Sequence, residues 1–154
     1  GYGEDTHRLV AGRPLVLGGV TIPFHLGLLG HSDADALAHA AMDAMLGACA
    51  LGDIGKLFPD TDPQYAGICS LTLLTQVLRR TLAQGYALSN LDATIVAQQP
   101  KLAPHIPAMR AKLAAAMACG QERISIKATT PEGCGPEGAL ESITVRCVCS
   151  MEAI

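Results

Sequence analysis

Residues 31–48 read HSDADALAHAAMDAMLGA, and this stretch decides the fold. Ala36, Ala40 and Ala44, with Leu37 and Met45, recur at helical spacing and make one apolar face. Ser32 is placed to cap the helix. Asp35, three residues on, makes a capping box in which Asp replaces the usual Glu. A face with so much alanine carries little bulk, so the helix can approach a sheet or another subunit closely.

Outward from this helix the chain alternates strand and helix signals. Upstream, GYGEDTHRLV reads as a strand, and PLVLGGVTIP reads as two short strands turning at Gly18–Gly19. Downstream, LGDIGKLFPDTDPQYAG is rich in Gly, Pro and Asp and reads as a long functional loop or lid. Leu71, Leu74, Leu78 and Leu82 repeat at helical spacing, with Gly85 as a stop signal. LDATIVAQ is a strand by its β-branched content, and PHIPAMRAKLAAAMACG is a helix with Pro107 in its first turn. RISIKATT and SITVRCVCS are two further strands joined by a Gly-rich turn. The order predicts a single α/β (α+β) domain over residues 1–154. Its expected architecture is a mixed four-stranded sheet with helices on one face, plus a small N-terminal hairpin. Oligomerisation is the expected cover for the other face.

Composition narrows the function. The formal charge is −3, Trp is absent and aromatic residues are 3% of the chain. A nucleic-acid surface wants a basic patch and stacking platforms, so no nucleic-acid partner is expected. No apolar run reaches membrane-spanning length, and no signal peptide is read ahead of Gly1. Gly1 in place of a starting Met fits a trimmed N-terminus or part of a longer polypeptide. The six cysteines contain no C-x-x-C pair and read as reduced, mostly buried thiols of a cytosol-like compartment.

Candidate chemistry clusters in five places. Asp5 and His7 are two residues apart on a strand, so they share a face. With His39 from the Ala-rich helix they offer three metal ligands and leave a fourth position open, the pattern of catalytic zinc. Asp35 and Asp43 flank His39 at four residues either side and are candidates to orient it. His31 and Ser32 lie where the helix begins, a place that favours phosphate. Asp53, Asp60 and Asp62 lie in the long loop, which is alternatively a solvated turn. Ala97 to Pro104 leaves a strand through a Pro-rich turn whose backbone could read a base edge. Thr129, Thr130 and Glu132 sit at a strand end, where hydroxyls can meet phosphate and a carboxylate can hold Mg2+.

Taken together, GEDTH, LLGHSDADALAHAAMDAMLGA, ALGDIGKLFPDTDP, TIVAQQPKLAPHIPAMR and IKATTPEG resemble the 2-C-methyl-D-erythritol 2,4-cyclodiphosphate synthase family of non-mevalonate isoprenoid biosynthesis. The resemblance runs without gaps from Gly1 to about Gly133. It implies a lyase that cyclises 4-diphosphocytidyl-2-C-methyl-D-erythritol 2-phosphate and releases CMP. It further implies a homotrimer with active sites between subunits, in the bacterial cytoplasm or a plastid-like stroma. The implied zinc (or other divalent transition-metal) ligands are Asp5, His7 and His39, and the Mg2+ or Mn2+ ligand is Glu132. Implied transition-state helpers are His31 and Thr130. Diphosphate and erythritol contacts fall on Ser32, Asp53, Gly55, Phe58, Pro59, Asp60, Thr61 and Asp62. The cytidine pocket falls on Ala97, Gln98, Gln99, Pro100, Lys101, Leu102 and Ala103, with Thr129 and Thr130.

The chain departs from the family pattern after Gly135, where Pro136 stands for a common Phe and Ala139 for an Arg near the phosphates. Glu4 also replaces a common hydrophobic residue. A zinc phosphoesterase using the same three ligands, and a trimeric scaffold that keeps the metal site, are the competing readings. Product analysis separates them.

Overall fold

The computed structural model describes residues 1–154. It contains β1 (Tyr2–Ala11), β2 (Leu15–Leu17), β3 (Val20–Ile22), β4 (Leu26–Leu28), α1 (Ala36–Ala48), α2 (Ile54–Leu57) and α3 (Ser70–Ala83). These are followed by β5 (Tyr86–Val96), α4 (Ile106–Ala116), β6 (Ile124–Thr129), the single-turn α5 (Gly135–Gly138) and β7 (Ser142–Ala153). The main sheet has five strands in the order β4-β1-β7-β5-β6, and β2 with β3 forms a separate hairpin. The fifth strand is β4, which adds to the β1 edge through Leu9–Leu28 and Ala11–Leu26. It escapes sequence reading because it is three residues long with Gly27 at its centre. That glycine is needed for packing: a Cβ there would sit 2.1 Å from the Arg13 carbonyl oxygen.

Only β5 and β6 run parallel; every other pairing is antiparallel. A parallel neighbour requires a crossover, and α4 supplies it. Helices α1, α3 and α4 pack side by side on one face, α1 over β1 and β7, α3 over β5 and α4 over β6. The other face bears only the single-turn α5, beside β7, and carries Tyr2, Glu4, Thr6, Arg146, Val148 and Lys127. No helix is long and apolar enough to cross a membrane.

The centre of the molecule is α1, buried along nearly its whole length, with Leu37, Met42, Met45 and Leu46 wholly enclosed. Its approach to β1 is unusually close. A Cβ on Gly3 would lie 2.1 Å from the Ala40 carbonyl oxygen and 2.7 Å from the Ala44 nitrogen. The alanines of the helix and the glycine of the strand thus bring backbone against backbone.

The helix begins later than Ser32. Ala34 has φ 56°, in the left-handed region, so the chain turns before it can wind. Asp35 is the N-cap: its Oδ1 accepts from the Ala38 N–H at 3.0 Å. The same carboxylate accepts from the Gly18 N–H (2.9 Å) and the Gly19 N–H (2.7 Å), fastening the hairpin turn to the helix start. Ser32 Oγ accepts instead from the Ala34 N–H. All six cysteines are free; Cys147 and Cys149 are buried, whereas Cys69 and Cys134 are exposed, so the expectation of mostly buried thiols holds only in part.

Candidate active site

Strand alternation turns Gly3, Asp5, His7 and Leu9 toward α1 and leaves Tyr2, Glu4, Thr6 and Arg8 outside. Because α1 lies so close over Gly3, His39 on its first turns reaches the two polar members of that row. His7 Nε2 is 2.8 Å from Asp5 Oδ2, His39 Nδ1 is 3.1 Å from the same oxygen, and the two ring nitrogens are 3.3 Å apart. Tetrahedral ligands bonded at about 2.0–2.1 Å to one ion stand about 3.3 Å from each other. The three atoms therefore have the spacing of one face of such a tetrahedron.

Hydrogen bonding on the far side of each ring supports that use. His7 Nδ1 lies 2.6 Å from the Leu29 carbonyl oxygen, which can only accept, so Nδ1 carries the proton and Nε2 faces inward with a lone pair. Gly30 makes room for this ring; a Cβ there would be 2.9 Å from His7 Cε1. His39 Nε2 lies 2.9 Å from Ser70 Oγ and 3.2 Å from Ser32 Oγ. Two inward nitrogens facing one carboxylate oxygen need either extra protons or a divalent cation, so the donor set fits a metal. Burial would raise the Asp5 carboxyl, but hydrogen bonds from His39 and His7 outweigh it and hold it down at about 2. Burial likewise pulls His7 down, and the Asp5 carboxylate more than compensates, so its pKa lies above the ordinary value.

Asp35 and Asp43 do not orient His39. Asp35 is committed to the helix cap and hairpin, and Asp43 Oδ1 accepts from the Ile54 N–H at 2.8 Å. Ser70, at the first position of α3, takes that place, and it is held in turn by Asp33. Sequence reading missed both, because the contact joins positions 37 residues apart and neither carries a motif.

Beside the three ligands lies a cavity of about 310 Å³, lined by His31, Ser32, His39, Ile54, Gly55, Phe58, Pro59, Asp60, Tyr65 and Leu73. His31, Ser32, Gly55, Phe58, Pro59 and Asp60 were anticipated; Ile54, Tyr65 and Leu73 were not. Asp53, Thr61 and Asp62 do not line this cavity, and two of them shape the loop. Asp53 Oδ1 caps α2 through the Lys56 N–H, and Asp62 Oδ1 accepts from the Gln64 N–H. The Asp62 carbonyl oxygen, 2.9 Å from His31 Nε2, accepts a hydrogen bond from that ring and ties it to the loop.

A second cleft, about 340 Å³, is lined by every residue from Ala97 to Ala103 with Ala128, Thr129 and Thr130. It forms where the parallel β5 and β6 end together, and the Ala97 N–H donates to the Thr129 carbonyl across their ends. Gln98 Oε1 accepts from the Gly133 N–H, closing one wall. Glu132 follows at φ 56°, and Thr130 Oγ1 donates to its Oε1 at 2.8 Å. In the divergent segment, Glu137 of α5 accepts from Thr144 Oγ1 on the bare side of the sheet.

A mixed α/β sheet with a two-histidine, one-aspartate centre beside a loop-lined cleft is the arrangement of a small metal-site enzyme. Residues 1–152 match the model of the YgbB family, and the chain belongs to that family. It is 58% identical over 152 residues to the 2-C-methyl-D-erythritol 2,4-cyclodiphosphate synthase of Geobacter sulfurreducens, covering 99% of this chain and 97% of that one. It is 53% identical over 154 residues to the synthase of the same name from Clostridium beijerinckii, covering 100% and 98%. Among solved structures, a 2C-methyl-D-erythritol-2,4-cyclodiphosphate synthase in a CDP-bound form matches with TM-score 0.90 and 43% identity, over 99% of both chains. The bifunctional IspDF of Campylobacter jejuni matches with TM-score 0.97 and 40% identity. The alignment takes all of this chain but spans only 42% of that one.

Proposed function

We infer that the chain carries out the reaction for which its relatives are named. It converts 4-diphosphocytidyl-2-C-methyl-D-erythritol 2-phosphate to 2-C-methyl-D-erythritol 2,4-cyclodiphosphate and releases CMP. The observation that carries this reading is the meeting of Asp5, His7 and His39 beside the cavity of His31 and Ser32.

The 2-phosphate must attack the β-phosphorus of the same molecule, and two anions repel. Catalysis is therefore mainly alignment and charge neutralisation, with no protein nucleophile needed. Asp5, His7 and His39 would hold zinc or a similar divalent ion, which when bound polarises a phosphoryl oxygen. Ser32 and the loop around Gly55 to Asp60 hold the diphosphate and erythritol, with Asp53 and Asp62 keeping the loop in shape. His31, steadied by the Asp62 carbonyl, presents its ring to the phosphates. The turn from Ala97 to Ala103 takes the cytosine, and Thr129 and Thr130 contact the phosphate that leaves with it. Glu132 would hold Mg2+ or Mn2+, which when bound would supply positive charge to neutralise the phosphates.

The two clefts share no lining residue: the first is lined by α1, α2, α3 and the loops beside them, the second by the end of β6 and the turn that follows β5. That separation supports a complete site formed between subunits, the metal side from one chain and the cytidine side from its neighbour. The bare sheet face, with Tyr2 57% and Val148 48% exposed, supports a homotrimer as the assembly. A bacterial cytoplasm or plastid-like stroma fits the six free thiols.

The test is product analysis of purified protein with substrate, zinc and Mg2+. A cyclic diphosphate plus CMP, with no oxygen taken from labelled water, is the expected result. A ring-opened monophosphate identifies a phosphoesterase, and no CMP release identifies a scaffold; either overturns the reading. Light scattering tests the trimer.

A further inference from the structure

We propose that Asp33 and Ser70 form a relay that fixes the proton of His39 on Nε2 and so keeps Nδ1 free as a ligand. The proposal rests on the metal reading of Asp5, His7 and His39. It starts from an accounting of protons. The Ser70 hydroxyl donates to Asp33 Oδ1 at 2.5 Å, and an ionised carboxylate can only accept. That spends the one proton Ser70 has. Its oxygen, 2.9 Å from His39 Nε2, is then an acceptor there, and the ring must supply the proton. Asp33 is itself fixed: Oδ2 accepts from the Ser70 N–H at 3.0 Å, and Oδ1 from the Asp35 N–H at 3.2 Å. Ser70 is fully buried, so no solvent competes for the arrangement.

Ser32 shows what the relay prevents. Its Oγ accepts from the Ala34 N–H at 3.2 Å and stands 3.2 Å from His39 Nε2. If Nε2 lacked a proton, Ser32 could donate to it, the ring proton would sit on Nδ1, and the ligand position would be blocked. With Nε2–H committed to Ser70, that alternative is closed. The Ser32 hydroxyl proton is then directed to the cavity that Ser32 lines. Ser70 and Asp33 are thus positioning residues that set two groups at once.

The experiment measures zinc affinity by competition with a chromophoric chelator, and the His39 protonation site by long-range 1H–15N NMR of zinc-loaded protein. Wild type is expected to carry the His39 proton on Nε2. S70A is expected to bind zinc about 10–100-fold more weakly. The double variant S70A/S32A, which lacks the competing donor, is expected to regain part of that loss. A purely structural role would not produce this reversal. If metal-free S70A does not fold, the near-isosteric D33N serves, since its amide can donate to Ser70 and reverse the relay; weaker zinc binding is expected there too. Unchanged zinc affinity in a folded variant overturns the relay alone; a His39 proton on Nδ1 of the zinc-loaded protein removes that atom as a ligand and overturns the metal reading as well. Wild-type protein that binds no zinc overturns the metal reading and the relay with it.

Discussion

Replacing Gly3 by alanine tests whether close packing builds the metal centre. The added Cβ would lie 2.1 Å from the Ala40 carbonyl oxygen, 2.7 Å from the Ala44 nitrogen and 3.0 Å from the Ala40 carbonyl carbon. All three are backbone atoms of α1, so no side chain can swing aside. Restoring an ordinary 3.4 Å contact requires the helix to retreat by about 1.3 Å. His39 precedes Ala40 on that helix and would move with it. A metal–nitrogen bond of about 2.0–2.1 Å tolerates a displacement of only about 0.2 Å, so His39 would leave the coordination sphere. Overpacking of this kind costs about 1–3 kcal/mol, which a folded protein of this size can survive.

The assay pairs zinc titration with urea denaturation of metal-free protein. Gly3→Ala should lose zinc affinity by about 100-fold or more while still unfolding cooperatively. Gly47→Ala is the control. It lies in the same helix, its Cβ would meet nothing nearer than 3.9 Å, and it should gain about 0.5–1 kcal/mol from helix propensity with zinc binding unchanged. A Gly3→Ala protein with wild-type zinc affinity would refute the claim that the helix–strand approach sets the ligand geometry.

Three further outcomes are expected. Asp35→Ala removes the α1 cap and strands two hairpin amides, so stability in urea should fall by about 3–5 kcal/mol; a loss under 1 kcal/mol would contradict this. In metal-free protein, the Asp5 contribution to stability is complete above 3.8 and fades as pH falls toward 2, while that of His7 is complete below 6.5 and fades as pH rises through its raised value. Denaturation of chelator-treated protein should therefore show stability declining as pH rises above 6.5, and zinc should reverse that trend; a flat metal-free profile there would be inconsistent. Burial, then neighbouring Cys149 and Asp92, pushes the Cys147 thiol up to about 12, so iodoacetamide at about pH 8 should label exposed Cys69 and spare Cys147 in native protein.

Much of this architecture is legible in the residues because local signals and global packing agree. The Gly18–Gly19 turn, the α3 leucines with Gly85 behind them, and the Pro107 start of α4 each act over a few neighbours. The Asp5–His7 pair is legible because alternation along a strand fixes a shared face. The start of α1 is not, because Ser32 has the right chemistry for a cap. The left-handed turn at Ala34 that displaces the cap to Asp35 leaves no mark in an alanine. The Ser70–His39 contact is equally silent, since it depends on how α3 docks against α1. The 97–103 turn could be named from its residues, but its union with Thr129 depends on the parallel pairing of β5 and β6.

The first ten residues hold two messages written in alternate letters. Positions 3, 5, 7 and 9 answer to the helix and to the cluster with His39. Positions 2, 4, 6 and 8 answer to whatever meets the open side of the sheet, where Glu4 pairs with Arg146 and Thr6 with Thr144. Natural variation or a mutagenic library can therefore rewrite the open face through the even letters while leaving the Asp5–His7 row intact. A single inserted residue would exchange the two texts and lose both.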